Sequence, residues 1–410
     1  MKPRPRYYYA ALLGVLCAAG SGPLRADHVD DVVAAQIRQH HIPGLALAII
    51  EGGAVAREQG YGYADTSQRT AVTPSTLFQA GSVSKAVSAL GALHLVDQGK
   101  ASLDEDINSK LRTWQIPQNG FTKEHAVTLR LILSHSAGLT VHGFSGYPVD
   151  APLPSLVQIL NGQRPANSAA VRVEEVPGSH WNYSGGGYLV IQQMIMDLTG
   201  KPFGQYMHET VLQPLGMVSS SYAQPLPAAM ADHAATGYAG LFRRAIKGRW
   251  RVHPELAAAG LWTTPGDLAR FLIGIQRSRA GTSNPIISRS TTRQMLTNQK
   301  NDDGLGVFIG GEPLKFGHDG SNVGFDTMTI AFADRGQGAV IMMNTNVDIK
   351  ALKEILLDAI GEQYRWPGYP VGSRRTPNHA MQPTPGRRTT QFSMTLTSHP
   401  AATRAHASGG

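Results

Sequence analysis

The chain has 410 residues, 42% of them hydrophobic and 16% charged, and its formal net charge is +8 at pH 7. The excess lies at the two ends, because residues 1–26 carry four basic residues and residues 371–410 carry five, with no acidic residue in either segment. The body at 27–370 therefore has a net charge of −1, which argues against nucleic acid as the main partner, and it is long enough to bury a sizeable core.

The N-terminal segment 1–26 has the features of a secretory signal peptide. Basic residues precede an apolar run at 7–19, and Ala26 ends a small-residue sequence that suits cleavage. The apolar run is too short to span a bilayer comfortably. Because the only cysteine, Cys17, lies within this segment, the mature chain is predicted to have no disulfide and no thiolate metal site. We expect export to a periplasm or to the medium.

The C-terminal segment 371–410 is rich in Pro, Ser, Thr and Arg and shows no periodic apolar pattern. This composition predicts a disordered extension. The predicted organisation is thus a signal peptide at 1–26, one folded body at 27–370 and a tail at 371–410.

Apolar periodicity and turn residues divide the body into three parts. A helix and a two-stranded hairpin come first, the middle at about 101–245 is predicted to be mostly helical, and strands with a final helix come last. One sheet built from both ends of the chain, with a helical insertion, fits that order. The predicted elements are a helix at 29–39, strands at 44–50 and 54–63 joined at Gly52-Gly53, a helix from about Ser82 to Gly99, helices at 189–198 and 261–276, strands at 304–308, 315–316, 325–333 and 338–343, and a helix at 348–361.

The run GSVSK at 81–85 opens a long apolar helix and is the strongest chemical signal in the sequence. Lys85 follows Ser82 by three positions, so both side chains share one helix face about one turn apart. That spacing suits a serine nucleophile and a lysine that takes its proton, provided that the site lowers the lysine pKa. The alternative is an N-cap serine followed by a solvent-facing lysine. The nearly uncharged helix after Lys85 and the lack of any other Ser-x-x-Lys in the sequence favour the catalytic interpretation.

Two polar segments supply further candidates. In WNYSGGGY at 181–188, Tyr183 carries a hydroxyl that can face a cleft, and a turn tyrosine packed on the next helix is the alternative. In FGHDGSNVGF at 316–325, His318 stands near a strand end and can act as an acid, a base or a hydrogen-bond donor. Gly320 would let the backbone approach a ligand closely. The alternative is a tight hairpin with His318 merely exposed.

The remaining polar motifs are interpreted as structural. His135 is predicted to end a helix, where a histidine suits the helix dipole. The sequence contains no HExxH, so no metal site is predicted. It also contains no Gly-x-Ser-x-Gly, which counts against an α/β-hydrolase.

Taken in order, these segments resemble the serine β-lactamase and penicillin-binding superfamily over about residues 29–362. The most similar branch looks like that of class C β-lactamases, serine D-peptidases and family VIII carboxylesterases. The resemblance implies an α/β (α+β) fold, with a central antiparallel sheet flanked by helices and a helical lobe. The matching motifs are GSVSK at 81–85, VTL at 127–129, HSAGL at 135–139, YSG at 183–185, PLGM at 214–217, GLWTT at 260–264 with Asp267-Leu268, and HDG at 318–320.

The resemblance also implies a role for each motif residue. Ser82 is implied to be the acylated nucleophile, Lys85 its general base or proton relay, and Tyr183 the group that exchanges a proton with the leaving group. His318 stands at the first position of the family's Lys/His-x-Gly strand motif. The backbone N–H groups of Ser82 and Ser321 are implied to form an oxyanion hole. No metal or organic cofactor is needed.

Two motifs depart from the family pattern. Gly185 replaces the asparagine of Tyr-x-Asn, whose amide normally contacts the lysine and a substrate amide carbonyl. His318-Asp319-Gly320 replaces Lys-Thr-Gly and removes a fixed positive charge for a substrate carboxylate. Both changes favour small esters or unusual amides over penicillins. Gly185, Gly320 and Ser321 are the implied substrate-binding positions.

Three functions follow from this reading of the sequence. The preferred one is a secreted serine hydrolase of esterase or D-amino-acid peptidase type that acts on a small molecule. The second is a class C-like β-lactamase or DD-carboxypeptidase with the same fold. The third is a catalytically silent cell-wall or penicillin-binding protein, against which the complete set of Ser82, Lys85 and Tyr183 argues.

Overall fold

The computed structural model describes residues 27–283, 285–346 and 349–369. The predicted signal peptide and the predicted tail from residue 371 onward lie outside the described residues. Over the described ranges, no helix combines the length and the apolar composition needed to cross a bilayer.

The strands come from both ends of the described chain. Most of the longer ones follow the predicted alternation of apolar runs and glycine-containing turns. The strands are β1 (Gly44–Glu51), β2 (Ala54–Asp65), β3 (Thr70–Ala71), β4 (Phe78–Gln79), β5 (Tyr238–Ala239), β6 (Arg244–Ala245), β7 (Trp262–Thr263), β8 (Phe308–Gly310), β9 (Lys315–Asn322), β10 (Phe325–Phe332) and β11 (Gly338–Met343).

The helices pack on both faces of the sheet, and several short ones lie in the middle of the chain. Several begin at a Ser or Thr whose side chain accepts a hydrogen bond from a first-turn N–H, as an N-cap does. The helices are α1 (His28–His40), α2 (Val83–Asp97), α3 (Leu129–Leu133), α4 (Leu156–Asn161), α5 (Gly185–Thr199), α6 (Phe203–Met207), which continues into a π-turn at His208–Leu212, α7 (Ala228–Ala231), α8 (Leu256–Ala259), α9 (Pro265–Ala280), α10 (Arg289–Met295) and α11 (Ile349–Gln363), with a 3₁₀ turn at Ile107–Ser109.

Within the described residues, the main sheet has seven antiparallel strands in the order β3-β2-β1-β11-β10-β9-β8. The first hairpin, β1–β2, thus joins the last strand, β11, with Leu45 opposite Met343. Two distant parts of the chain therefore build one sheet, as the sequence predicts. This arrangement confirms the predicted mixed fold with a central antiparallel sheet flanked by helices.

Strand β1 shows why the centre of this sheet is apolar on both faces. Leu45, Leu47 and Ile49 lie in a core with α1 and α11. Ala46 and Ala48 face the opposite, larger core, which also holds α2, α5 and α9. Since successive side chains of a strand point to opposite faces, a continuous apolar run is required when both faces are covered.

The structure corrects four element predictions. Helix α9 begins at Pro265 rather than at 261, because Trp262 and Thr263 pair with β4 as β7. The strand predicted at 304–308 lies at Phe308–Gly310. The strand predicted at 315–316 extends to Asn322, so the polar HDGS sequence lies inside β9 and not in a loop. The segment 101–245, predicted to be mostly helical, is largely irregular, because many of its buried apolar residues lie in loops and not in helices.

Candidate active site

Ser82 lies in the turn that leads into α2. Gly81 has φ +52°, a left-handed conformation that glycine adopts without strain. The hydroxyl of Ser84 donates to the Gly81 carbonyl at 2.6 Å and accepts from the Leu261 N–H at 3.1 Å, so it fixes this turn. Ser82 has helical backbone angles, and its side chain makes no capping hydrogen bond. Ser82 thus stands at the N-cap position without capping the helix through its side chain, and its hydroxyl is left for other chemistry.

Lys85 provides the partner for that hydroxyl. Its ammonium nitrogen Nζ lies 2.9 Å from Ser82 Oγ and 2.9 Å from the carbonyl oxygen of Ala258. The side chain is fully buried, and burial lowers the pKa of Lys85 to about 7. A free lysine, with a pKa near ~10.4, is neutral about once in 2,500 molecules at pH 7. Lys85 is thus a base poised near neutral pH, not a solvent-facing cation.

Tyr183 closes the site from the side of α5. Its ring centroid lies 5.0 Å from Lys85 Nζ, and its hydroxyl is buried. Burial raises the pKa of Tyr183, and the neighbouring Ser82 hydroxyl opposes part of that rise, although the two hydroxyls do not meet hydrogen-bond geometry. A tyrosine with a raised pKa stays protonated, so this group is suited to donate a proton and not to act as a tyrosinate base.

His318 faces the same site from the interior of β9. Its Nδ1 lies 2.5 Å from the carbonyl oxygen of Asp319, and its ring stacks on Phe308 with 4.6 Å between centroids. Burial, helped by the nearby Lys85 charge, lowers the pKa of His318 to about 3. His318 is therefore neutral at working pH and buried, which excludes the alternative of a merely exposed histidine.

Gly320 and Gly81 hold β9 against the turn before α2. A Cβ placed on Gly320 would lie 2.0 Å from the carbonyl oxygen of Ala80 and 2.8 Å from the Ser82 nitrogen. A Cβ on Gly81 would lie 2.6 Å from the Ser321 nitrogen. Gly320 thus permits the close approach that the sequence predicts, but what it approaches is the backbone of the nucleophile's own turn. The same approach brings the backbones of Ser82 and Ser321 together.

Gly185 begins α5, two residues after Tyr183. A Cβ at this position would lie 2.9 Å from the Phe144 ring and 3.0 Å from the carbonyl oxygen of His142. The position therefore has no room for an asparagine side chain unless this loop moves. The site therefore meets the Gly185 backbone and the Phe144 ring at this position, and no side-chain amide.

His135 is the neighbour that sequence reasoning misplaced. Helix α3 ends at Leu133, and His135 follows it with φ +52° and a buried ring. Its Nδ1 accepts a hydrogen bond from the Ser184 N–H at 3.1 Å, and its ring lies 4.2 Å from that of Tyr183. Burial lowers the pKa of His135 well below its usual value, so it is neutral and does not serve the helix dipole. It supports the Tyr183 ring instead.

The arrangement brings together a hydroxyl, a buried amine, a protonated phenol and a neutral imidazole. The amine can take a proton from the hydroxyl, and the phenol can return one to a leaving group. Within the described part of the chain, no group of three or more His, Cys, Asp or Glu side chains has metal-binding geometry.

Two curated proteins share part of this sequence. Protein flp from Staphylococcus aureus (strain N315) is 25% identical over 242 residues, 58% of this chain and 44% of that protein. Unguisins hydrolase ungD' from Aspergillus campestris is 31% identical over 248 residues, with the same two shares. The chain thus matches less than half the length of these curated relatives.

A solved structure has a similar fold. The octameric penicillin-binding protein homologue from Pyrococcus abyssi superimposes with a TM-score of 0.67, at 22% identity, over 81% of this chain and 76% of that one. The model of the Beta-lactamase family matches residues 29–359, which include Ser82, Lys85, Tyr183 and His318. The chain therefore belongs to the Beta-lactamase family, whose members are generally serine hydrolases.

Proposed function

We propose that this protein hydrolyses small esters or amides through an acyl-enzyme on Ser82, as a carboxylesterase or a D-amino-acid peptidase does. The observation that carries the proposal is the 2.9 Å contact between Lys85 Nζ and Ser82 Oγ. The amine in that contact is buried, and the serine hydroxyl is not used as a helix cap. A structural serine and a solvated lysine would show neither feature.

In the proposed reaction, neutral Lys85 takes the hydroxyl proton while Ser82 Oγ forms a bond to the substrate acyl carbon. The oxygen of that carbonyl gains negative charge next to the N–H groups of Ser82 and Ser321. Tyr183 then donates its proton to the leaving group as the acyl bond to that group breaks, and Lys85 returns a proton to Tyr183. Attack by water on the acyl-enzyme releases the acid and restores the Ser82 hydroxyl.

The substrate preference rests on two positions. Because His318 is neutral, it offers no fixed cation for a substrate carboxylate, such as the one that penicillins carry. Because Phe144 and the His142 carbonyl crowd Gly185, no amide is available there for a substrate amide carbonyl. Both features favour esters over penicillins, in line with the family VIII carboxylesterase branch.

Two further observations support the proposal, the first for hydrolysis and the second for export. One relative is named a hydrolase of unguisins. The segment 1–26 has the composition of a secretory signal peptide. We therefore place the proposed activity in a periplasm or in the medium.

Two assays on the purified protein test the proposal. A fluorophosphonate probe should label Ser82, identified by peptide mass spectrometry, and Ser82→Ala should remain unlabelled. Turnover of p-nitrophenyl butyrate should exceed that of nitrocefin. An unlabelled Ser82 would contradict the hydrolase itself, whereas much faster turnover of nitrocefin would leave the hydrolase and contradict the ester preference.

A further inference from the structure

An apolar turn projects from the protein between β5 and β6. Residues 240–243 form this turn, closed by a hydrogen bond from the Arg243 N–H to the Gly240 carbonyl at 3.1 Å. The side chains of Leu241 and Phe242 at its tip are 88% and 77% exposed. The tips of tight turns favour Gly, Asn, Asp, Pro and Ser, so two large apolar residues there are costly without a partner.

The base of this hairpin is firmly held, so the exposed tip does not result from loose packing. The Tyr238 hydroxyl accepts the Thr66 N–H at 2.7 Å, and the Tyr238 N–H donates to the Asn344 carbonyl at 2.9 Å. Ile246 packs close to Gly237 and Gly324, where a Cβ on either glycine would lie within 3.0 Å of it.

The surroundings of the tip are strongly basic. Residues 238–251 contain five Lys and Arg residues and no acid, although the body of the chain has a net charge of −1. Among described residues, only Lys247 of these five has an acidic partner, Asp150 at 3.2 Å. The Arg244 guanidinium lies 5.8 Å from the centroid of the Phe242 ring, so charge and apolar surface meet at one point.

The turn also adjoins the active site. Arg243 donates to the backbone carbonyl of Asn346, whose amide nitrogen donates to Ser321 Oγ at 3.1 Å. Ser321 follows Gly320, which contacts the turn that carries Ser82. The 240–243 turn is therefore linked to Ser321 of the site through one residue, Asn346.

We propose that the 240–243 turn docks the protein on an anionic phospholipid surface. Leu241 and Phe242 enter the headgroup region, and the surrounding arginines bind the lipid phosphates. Exposed apolar residues flanked by Lys and Arg are the combination that peripheral binding to anionic bilayers requires. A soluble polyanion would need the cations but would gain nothing from the two apolar side chains. Docking does not depend on the proposed hydrolysis, so Ser82→Ala should bind vesicles as the wild type does.

A local probe tests this docking in the full chain, where the basic ends can add binding of their own. The fluorescence that the Phe242→Trp variant gains over the wild type should be quenched by vesicles of phosphatidylglycerol mixed with phosphatidylcholine brominated in its acyl chains. Val218→Trp is the matched control, because Val218 is 82% exposed on another loop, and it should not be quenched. Absence of quenching at position 242, or equal quenching at both positions, would overturn the proposal.

Partition measurements complete the test. Leu241→Ser with Phe242→Ser should reduce partition into the mixed vesicles at least ~tenfold, whereas Val218→Ser should leave it unchanged. Arg244→Gln should weaken binding only to vesicles that contain phosphatidylglycerol. Arg293→Gln, which changes an exposed arginine of α10, should leave that binding unchanged. Unchanged partition of the double variant, with slower turnover of a soluble ester, would assign the turn to the substrate site and contradict docking. Fluorophosphonate labelling and circular dichroism show whether each variant is folded.

Discussion

Two buried polar clusters in this protein differ sharply in how their groups are partnered. In the cleft, the Lys85 amine binds both Ser82 and the Ala258 carbonyl. Close to α8, His253 and Glu255 are fully buried and 3.8 Å apart. Among the described residues, neither ring nitrogen of His253 and neither carboxylate oxygen of Glu255 has a hydrogen-bond partner of good geometry.

The same physical cause acts on both clusters with different results. Burial lowers the pKa of Lys85 to about 7, raises that of Glu255 to about 7 and lowers that of His253 to about 3. His253 is therefore neutral at pH 7, and its contact with Glu255 is not an ion pair. Desolvation creates a base where a reactive hydroxyl lies within hydrogen-bond distance. It costs stability at Glu255, where the nearby Tyr147 hydroxyl only partly opposes it and no hydrogen bond of good geometry forms.

The contrast between the two clusters depends on Lys85 acting as the base, so the largest loss of activity is expected from substitutions of Ser82 and Lys85. Ser82→Ala should abolish ester turnover, and Lys85→Ala should lower kcat/KM at least ~10³-fold, because the hydroxyl loses the group that takes its proton. The control is Lys300→Ala, since Lys300 also binds backbone carbonyls but lies elsewhere. More than a few per cent of the rate remaining in Lys85→Ala would contradict this role.

The phenol gives the next largest effect. Tyr183→Phe should lower kcat/KM about 10²-fold or more, because the proton donor is lost while the ring that packs on His135 remains. Tyr188→Phe is a matched control, as its ring lies 5.9 Å from Lys85 Nζ and its hydroxyl binds the Leu133 carbonyl. Equal losses in the two variants would indicate a packing effect and not proton transfer.

The pH profile sharpens the assignment of the base. Lys85 must be neutral to act, and its pKa is about 7, so kcat/KM should rise about tenfold per pH unit below 7 and level off above it. His318, with a pKa of about 3, and Tyr183, with a raised pKa, should add no further step between pH 5 and pH 9. A flat profile over that range would exclude a lysine base with this pKa.

The smallest expected effect is on stability and concerns the buried pair of His253 and Glu255. Burial raises the pKa of Glu255 from 4.5 to about 7. Between pH 4.5 and pH 7 the Glu255 carboxyl is therefore protonated in the folded state and ionised in the unfolded chain. The stability contributed by this group therefore falls as the pH rises from 4.5 to 7. Glu255→Gln removes the ionisation and should be more stable than the wild type by about 1–3 kcal/mol at pH 8.

Denaturant unfolding at pH 5 and pH 8 measures this difference. The gain of Glu255→Gln over the wild type should be larger at pH 8 than at pH 5, whereas Glu174→Gln, at an exposed position, should change neither value. A gain independent of pH would mean that the charge of Glu255 is not the source of the cost.

Local sequence was enough for the helix that carries Ser82 and Lys85 and for the first hairpin. The apolar periodicity after Gly81 predicts α2 and sets Ser82 and Lys85 on one face, since helical spacing is a property of the backbone. The hairpin of β1 and β2 follows from Gly52-Gly53 between two apolar runs. Polar HDGS, by contrast, resembles a loop, and only pairing with β10 makes it part of a strand.

The sequence by itself determined most of the order of the elements, the helix of the nucleophile and the Ser82–Lys85 spacing on it, because each depends on spacing along the chain. Only the tertiary structure decided that Lys85 is desolvated, that His135 supports Tyr183, and that Gly320 touches the backbone before Ser82. Burial and contact depend on residues far apart in sequence, and no local pattern encodes them.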